Sequence, residues 1–382
     1  MKRFIINDTT LRDGEQTAGI IFSRDEKILI AGLLDKIGVD EIEAGVPAMG
    51  GAEQEAIKKI NSLGLKAKII SWNRANKNDI YESLSIGLKY MHVSIPISNI
   101  HIKYKLRKDI DYVKKSIIEI CKILRKEGVI FSVGGEDSSR TDIKTLFELI
   151  NIAEGEGAYK YRYSDTVGTL NPLTMHKNIE TIRTKFKHIL LEIHTHNDFG
   201  MATANSIAAL TAGAHSISGS ISGIGERAGN CPLEEVMAYF KFIEKMRTKF
   251  NLIKAKELAG IIANITKRPL PLSKPIFGNN IFYHEAGIHT DGVIKNPINY
   301  EAFPPEEVGL ERKLLIGKHS GTSVIKHKLK NMDISITDTE ARYILNIVRS
   351  KSTKLRRNLT DIELKNIYLS SIKSIKHSMP HL

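Results

Sequence analysis

Ile189-Leu190-Leu191-Glu192-Ile193-His194-Thr195-His196-Asn197-Asp198 is an apolar run that ends abruptly in polar residues. The run has the length and composition of a buried strand, in which alternate side chains share a face. His194 and His196 therefore project to one side, one pleat apart, where two imidazoles can hold a single divalent metal. Alone, the pair has plainer readings, because histidine fills many structural roles. The rest of the chain shifts the balance: short apolar runs closed by polar residues recur along it.

Strand-like runs fall at 4–6, 41–46, 67–72, 90–97, 129–133, 159–163, 189–193 and 216–221, with helical patterns such as 26–37, 53–63 and 109–127 between them. About eight βα units in a row, with no consecutive hairpins, predict an α/β fold, a closed (βα)8 TIM barrel. A doubly wound open sheet shows the same alternation and is the alternative. In a barrel the active site lies at the carboxyl ends of the strands. Those ends carry Asp8 to Gln16, Glu43, Asn73-Arg74, Glu136-Asp137, Asp165-Thr166, His194 to Asp198 and Gly225-Glu226-Arg227, so polar residues collect on one rim.

Bulk properties narrow the class. The chain has 382 residues, 42% of them hydrophobic and 26% charged, which suits a water-soluble protein with a large core. No apolar run reaches the ~20 residues of a membrane span, and Met1-Lys2-Arg3-Phe4 leads into a strand and not a signal peptide. Only two cysteines, Cys121 and Cys231, fit a reducing cytoplasm. The net charge of +13 comes from scattered lysines without aromatic-interleaved basic motifs, so it points to attraction of anionic substrates and away from nucleic acid. The barrel is expected over 1–268. A Pro-rich linker and lid segment over 269–305 and a helical subdomain over 306–382 complete the domain plan. Gly317 to Gly321 reads as a turn.

Asn7-Asp8-Thr9-Thr10-Leu11-Arg12-Asp13-Gly14-Glu15-Gln16 follows the first strand. With the two histidines it makes a carboxylate–imidazole set suited to Mg2+, Mn2+, Zn2+ or Fe2+. Asn230, after the eighth strand, can add an amide oxygen. By itself, Arg12-Asp13 reads equally well as a turn with an exposed ion pair.

These three motifs, in this order, resemble the metal-dependent acyl-CoA condensing barrels, the family of 2-isopropylmalate, homocitrate and citramalate synthases, with HMG-CoA lyase a more distant relative. The likeness covers nearly the whole chain. It implies metal binding by Asp13, His194 and His196, with Asn230 at or near the coordination sphere. It also implies a Claisen condensation of acetyl-CoA with a 2-oxo acid. Arg12 would donate to the developing alkoxide, and Glu136 is one candidate for the base that removes the acetyl proton. Phe282 to His289, followed by Tyr300, resembles the family's lid, in which the equivalents of His289 and Tyr300 serve catalysis from the partner subunit of a homodimer. Thr166 would bind the substrate carboxylate, with Gln16, Glu43 and, last, Arg74 as further substrate contacts. Trp72, His92, His215 and Cys231 are expected in core or turn roles.

Within the family, Glu43 to Gly50, Ser71 to Ala75 and Arg162 to Gly168 are most similar to the homocitrate synthases associated with nitrogen fixation, which implies 2-oxoglutarate as acceptor and (R)-homocitrate as product. Two features are expected to set the chain apart from 2-isopropylmalate synthases: Ala48-Met49-Gly50 after the second strand, and no leucine-sensing domain before the last residue, Leu382. Lysine-pathway homocitrate synthases carry an arginine where this chain has Ser132, which leaves open how a distal substrate carboxylate is held. 2-Oxoisovalerate and pyruvate are the alternative acceptors, because a few pocket contacts of ~1–3 kcal/mol each decide between them.

Overall fold

The computed structural model describes residues 4–378. Eight parallel strands, β1 (Ile5–Asp8), β2 (Glu41–Gly45), β3 (Lys68–Arg74), β4 (Tyr90–Pro96), β5 (Ile130–Glu136), β6 (Lys160–Asp165), β7 (Leu190–Thr195) and β8 (Ser216–Gly219), stand in sequence order, and β8 pairs back onto β1. Closure removes the open-sheet alternative. The helices α1 (Arg24–Ile37), α2 (Gly51–Asn61), α3 (Lys77–Ser85), α4 (Ile110–Lys126), α5 (Ile143–Gly155), α6 (Pro172–Lys185) and α7 (Ala202–Thr211) connect the strands, and α8 (Leu233–Ala238) and α9 (Leu252–Thr266) follow β8.

Local sequence accounts for these elements. In α4, Val113, Ile117, Ile120, Cys121 and Leu124 recur at three- and four-residue spacing and are buried, while Asp109 caps the helix by accepting from the Tyr112 amide. Each such aliphatic side chain contributes roughly 1.5–3 kcal/mol on full burial. In α1, Ser23 and Glu26 form a reciprocal capping box, and Gly38 closes the helix in the left-handed region.

The barrel interior departs from the usual filling of branched aliphatics. Lys160 on β6 reaches across the lumen to Glu41 on β2 and sideways to Glu192 on β7, and all three are fully buried. Arg162, one pleat along β6, pairs with Glu43 on β2 and donates through Nε to Glu192 at 2.6 Å. Ser216 and Asn7 add hydrogen bonds to Glu192 at 2.7 and 3.2 Å. Burial opposes charge on Glu43 and Glu192, but the facing cations hold both carboxyls well below their usual range.

A second compact unit begins at Pro271. In it, β9 (Tyr283–His284) pairs in parallel with β10 (Lys313–Leu314), which ties 271–305 to the tail, so the boundary expected near 305 runs inside one folded unit. Beyond α10 (Gly287–Lys295), the helices α11 (Thr322–Lys330), α12 (Asp338–Leu355) and α13 (Asp361–Ser378) enclose a core of Ile316, Ile325, Leu329, Ile344, Val348 and Leu364. Gly317 to Ser320 forms the expected turn, leading into α11. Among the described residues no helix is long and apolar enough to cross a membrane.

Candidate active site and metal centre

The chain after β1 does not continue as a strand. Thr10–Gly14 forms a wide helical turn closed by the Gly14 amide donating to the Thr9 carbonyl at 2.9 Å. Asp8 holds the turn: its carboxylate accepts from the amide and hydroxyl of Thr10 at 2.8 and 3.1 Å. The turn brings the consecutive residues Arg12 and Asp13 to one cavity of about 380 Å3, which both line.

His194 and His196 end β7 on the face that the pleat dictates. Their Nε2 atoms lie 3.1 Å apart, and Asp13 Oδ2 lies 3.1 Å from His194 Nε2 and 3.8 Å from His196 Nε2. Three donor atoms thus stand within 4.8 Å of one another, all on buried residues. Ser218 on β8 meets His194 Nδ1 at 3.2 Å and orients the ring. Burial, then the neighbouring His194, pushes the His196 imidazole down to about 3 despite the pull of Asp13, so it is neutral, as a ligand must be. Burial alone would raise Asp13; Arg12 and the His194 contact reverse this and keep its carboxyl well below the usual range.

Asn230 completes the set. An isolated bridge joins it to His196, and its Nδ2 donates to the Ile224 carbonyl at 3.1 Å. Its Oδ1 is buried with no hydrogen-bond partner among the described residues. Gly225 is required beside it, since a Cβ there would stand 2.7 Å from the amide carbon. A carboxylate oxygen, two imidazoles and an unsatisfied amide oxygen are a donor set that fits one divalent cation.

Arg12 is fixed by Glu43, which accepts from Nε at 2.8 Å and pairs with Nη2 at 2.7 Å; Nη1 lies 3.1 Å from Asp13 Oδ2. Glu43 thus sits beneath Arg12 as its anchor and is absent from the cavity lining. Gln16, Glu136 and Thr166 do line it. The Thr166 hydroxyl accepts from the Asp137 amide at 2.9 Å. Both oxygens of Glu136 accept from Lys105, at 2.6 and 2.8 Å. Arg74 is turned elsewhere: it forks onto Asp79 through Nε and Nη2, both at 2.8 Å, because the β3 end leads into the N-terminus of α3, where Asp79 awaits it. His289 and Tyr300 belong to the second unit, where their rings stack at 4.3 Å.

Two residues expected in core or turn roles belong to the cavity instead. Trp72 lines it with Arg12 5.6 Å from its ring, and buried His92 lines it from β4. Arg162 lines it too. The missed signal is the pleat: His92 and Ser94 share one face of β4, and Arg162 and Ser164 one face of β6, and an all-polar face on a barrel strand is the mark of a lumen that is not filled with aliphatics. Arg227 straps the rim: it forks onto Asp198 at 2.7 and 2.9 Å and donates to the Thr166 carbonyl at 2.6 Å.

Comparison with known proteins places this architecture. Residues 3–262 match the HMGL-like family model, and residues 276–375 match the homocitrate synthase post-HMGL domain-like model. A protein named 2-isopropylmalate synthase 2 from Caldanaerobacter subterraneus subsp. tengcongensis is 47% identical, over 96% of this chain and 95% of its own. Homocitrate synthase 1 from a Nostoc species is 43% identical over 96% of this chain and 97% of its own. The (R)-citramalate synthase of Methanocaldococcus jannaschii is 42% identical over 90% and 70%. Near-complete coverage of a 2-isopropylmalate synthase overturns the expectation that a C-terminal extension marks that activity. The Bacillus subtilis HMG-CoA lyase structure shares the barrel fold, with a TM-score of 0.63, 20% identity and coverage of 71% of this chain and 96% of that one. By its fold, its two matched domains and its relatives along nearly its whole length, the chain belongs to the HMGL-like family, among the enzymes that condense acyl-CoA with a second substrate.

Proposed function

We propose that this enzyme condenses acetyl-CoA with 2-oxoglutarate to give (R)-homocitrate and CoA in the cytoplasm. The observation that carries the choice of acceptor is the cavity lining. Apart from Trp72, its residues are polar or charged, and none is aliphatic. An isopropyl group would gain little there and would leave buried donors unmatched, whereas a second carboxylate suits them. The identity to the Caldanaerobacter 2-isopropylmalate synthase favours 2-oxoisovalerate as the second reading.

In this proposal Asp13, His194, His196 and Asn230 hold a divalent cation such as Mn2+, Zn2+ or Mg2+, which supplies Lewis acidity at the keto oxygen of the acceptor. Thr166 and Gln16 bind the acceptor, Thr166 at its first carboxylate. Arg12, fixed by Glu43, donates to the alkoxide that forms when the acetyl methyl carbon attacks the keto carbon. A base takes the methyl proton. Glu136 must first part from Lys105 to do so, and His289 with Tyr300, delivered by the partner of a homodimer, is the other assigned group. The methyl proton returns to the alkoxide; water then hydrolyses the thioester, its hydroxyl going to the acyl carbon and its proton to the departing CoA thiolate. A CoA-release assay over a panel of 2-oxo acids, before and after chelation, tests this. 2-Oxoglutarate is expected to give the highest kcat/KM and chelation to abolish it; turnover of 2-oxoisovalerate alone would refute the acceptor.

A further inference from the structure

We infer that Arg162, reaching the cavity from β6 beside His92, is the residue that holds the distal carboxylate of the acceptor and so selects a diacid over a shorter or branched 2-oxo acid. The inference rests on the diacid reading above and assigns it to a residue.

Arg162 is buried, yet it is only partly committed to the protein. Its Nε donates to Glu192 and its Nη2 pairs with Glu43, whereas its Nη1 finds no acceptor among the described residues. A buried guanidinium with donors left over, in the wall of a cavity, is a place for a ligand's carboxylate. The two protein carboxylates fix the plane of the fork, so little entropy remains to be lost on binding.

The neighbouring strand makes the room. β5 offers glycine opposite Arg162, in the register Gly134↔Arg162. A Cβ at Gly134 would stand 2.6 Å from both Cε1 and Nε2 of His92 and 3.4 Å from Cβ of Arg162. The missing side chain lets the His92 ring lie over β5 next to Arg162. Ser132 meets His92 Nδ1 at 2.8 Å. Burial, followed by the nearby Arg162, keeps this imidazole neutral. In the tautomer in which the Ser132 hydroxyl donates to Nδ1, the ring proton is on Nε2 and is a second donor beside Arg162.

Depth along the barrel matches the ligand. His194 is level with Ser164, and Arg162 is level with Glu192, one pleat deeper. Two residues of strand rise make ~7 Å. A five-carbon diacid whose keto end lies at the His194 level can therefore set its far carboxylate at Arg162, while pyruvate ends short of it.

The test compares 2-oxoglutarate and pyruvate as acceptors for the metal-loaded enzyme and for Arg162→Gln, by kcat/KM and by the rise in Tm that each acid gives without acetyl-CoA. The 2-oxoglutarate/pyruvate kcat/KM ratio should fall about 100-fold in the variant, and the Tm rise with 2-oxoglutarate should vanish while that with pyruvate persists. A role confined to bracing Glu43 and Arg12 would slow both acceptors alike, and an unchanged ratio overturns the inference. If Arg162→Gln does not fold, Arg162→Lys keeps a cation beside Glu43 and Glu192 and decides the matter. It should lower the ratio about 10-fold through loss of the planar fork, and a ratio equal to that of the parent enzyme overturns the inference. A parent enzyme that turns over 2-oxoisovalerate but not 2-oxoglutarate removes the diacid reading and this inference with it. A parent that uses 2-oxoglutarate beside an indifferent variant removes Arg162 alone.

Discussion

Two clusters of buried charge share the barrel lumen, and they differ in whether their charges cancel. In the deeper one, the carboxylates Glu41, Glu43 and Glu192 face the cations Lys160, Arg162 and Arg12. Nearer the rim, Asp13 meets two imidazoles, of which His196 is held neutral, and an amide oxygen with no partner. Both are buried and both are bound by short contacts, so neither burial nor hydrogen bonding separates scaffold from site. The separating feature is residual charge and valence: in the deeper cluster the formal charges cancel, with only a donor of Arg162 left toward the cavity, whereas the upper one holds an unmatched amide oxygen beside a donor set that suits a cation.

That contrast can be broken by experiment. The largest effect is expected from His196→Ala, which removes one of the neutral donors. Metal-dependent CoA release should fall at least 1,000-fold, with an unchanged far-ultraviolet circular dichroism spectrum, and the variant should retain less metal after gel filtration. Full activity would strip His196 of its ligand role. Lys160→Met attacks the deeper cluster and should act on stability, because it leaves Glu41 and Glu192 buried without their shared cation. Urea unfolding should show a loss of about 3–5 kcal/mol, part of it restored when Glu41→Gln and Glu192→Gln are added. A loss under ~1 kcal/mol would mean that the deeper charges are not balanced through Lys160.

The smallest effect concerns Asp8, a buried acid that belongs to neither cluster. Burial pushes its carboxyl up to about 7 from an ordinary 3.8, against the opposing pull of the Thr10 hydrogen bonds. Between these values the folded protein keeps a proton that the unfolded chain releases. The stabilising contribution is therefore complete below pH ~4 and is lost as pH rises through 7. Relative to Asp8→Asn, the parent protein should lose stability from pH 5 to pH 8, by at most roughly 3 kcal/mol. Parallel stability profiles would show that Asp8 is ionised in the fold.

The barrel was legible because each βα unit repeats one pattern, and its closure follows from the count of units. The candidate metal cluster was legible because His194 and His196 are fixed by the pleat and Asp13 follows a strand end. What the pattern could not show was which charged groups pair with one another. Arg74 reads as a rim cation until Asp79, five residues on, is seen to hold it. Glu43 reads as a substrate contact until Arg12, from the turn after β1, and Arg162, from β6, are seen to bind it. His92 and Trp72 read as core because one residue in isolation does not reveal that the space opposite is vacant, and at His92 that vacancy comes from a glycine on the next strand.

The wide turn at Thr10–Gly14 has one more consequence. Residues adjacent in a strand point apart, but here two neighbours face the same way, and the group that would steady the alkoxide is covalently next to the one that would grip the cation. A displacement of this turn would carry both groups together, whereas groups borne on separate strands, such as Asp13 and His194, can part.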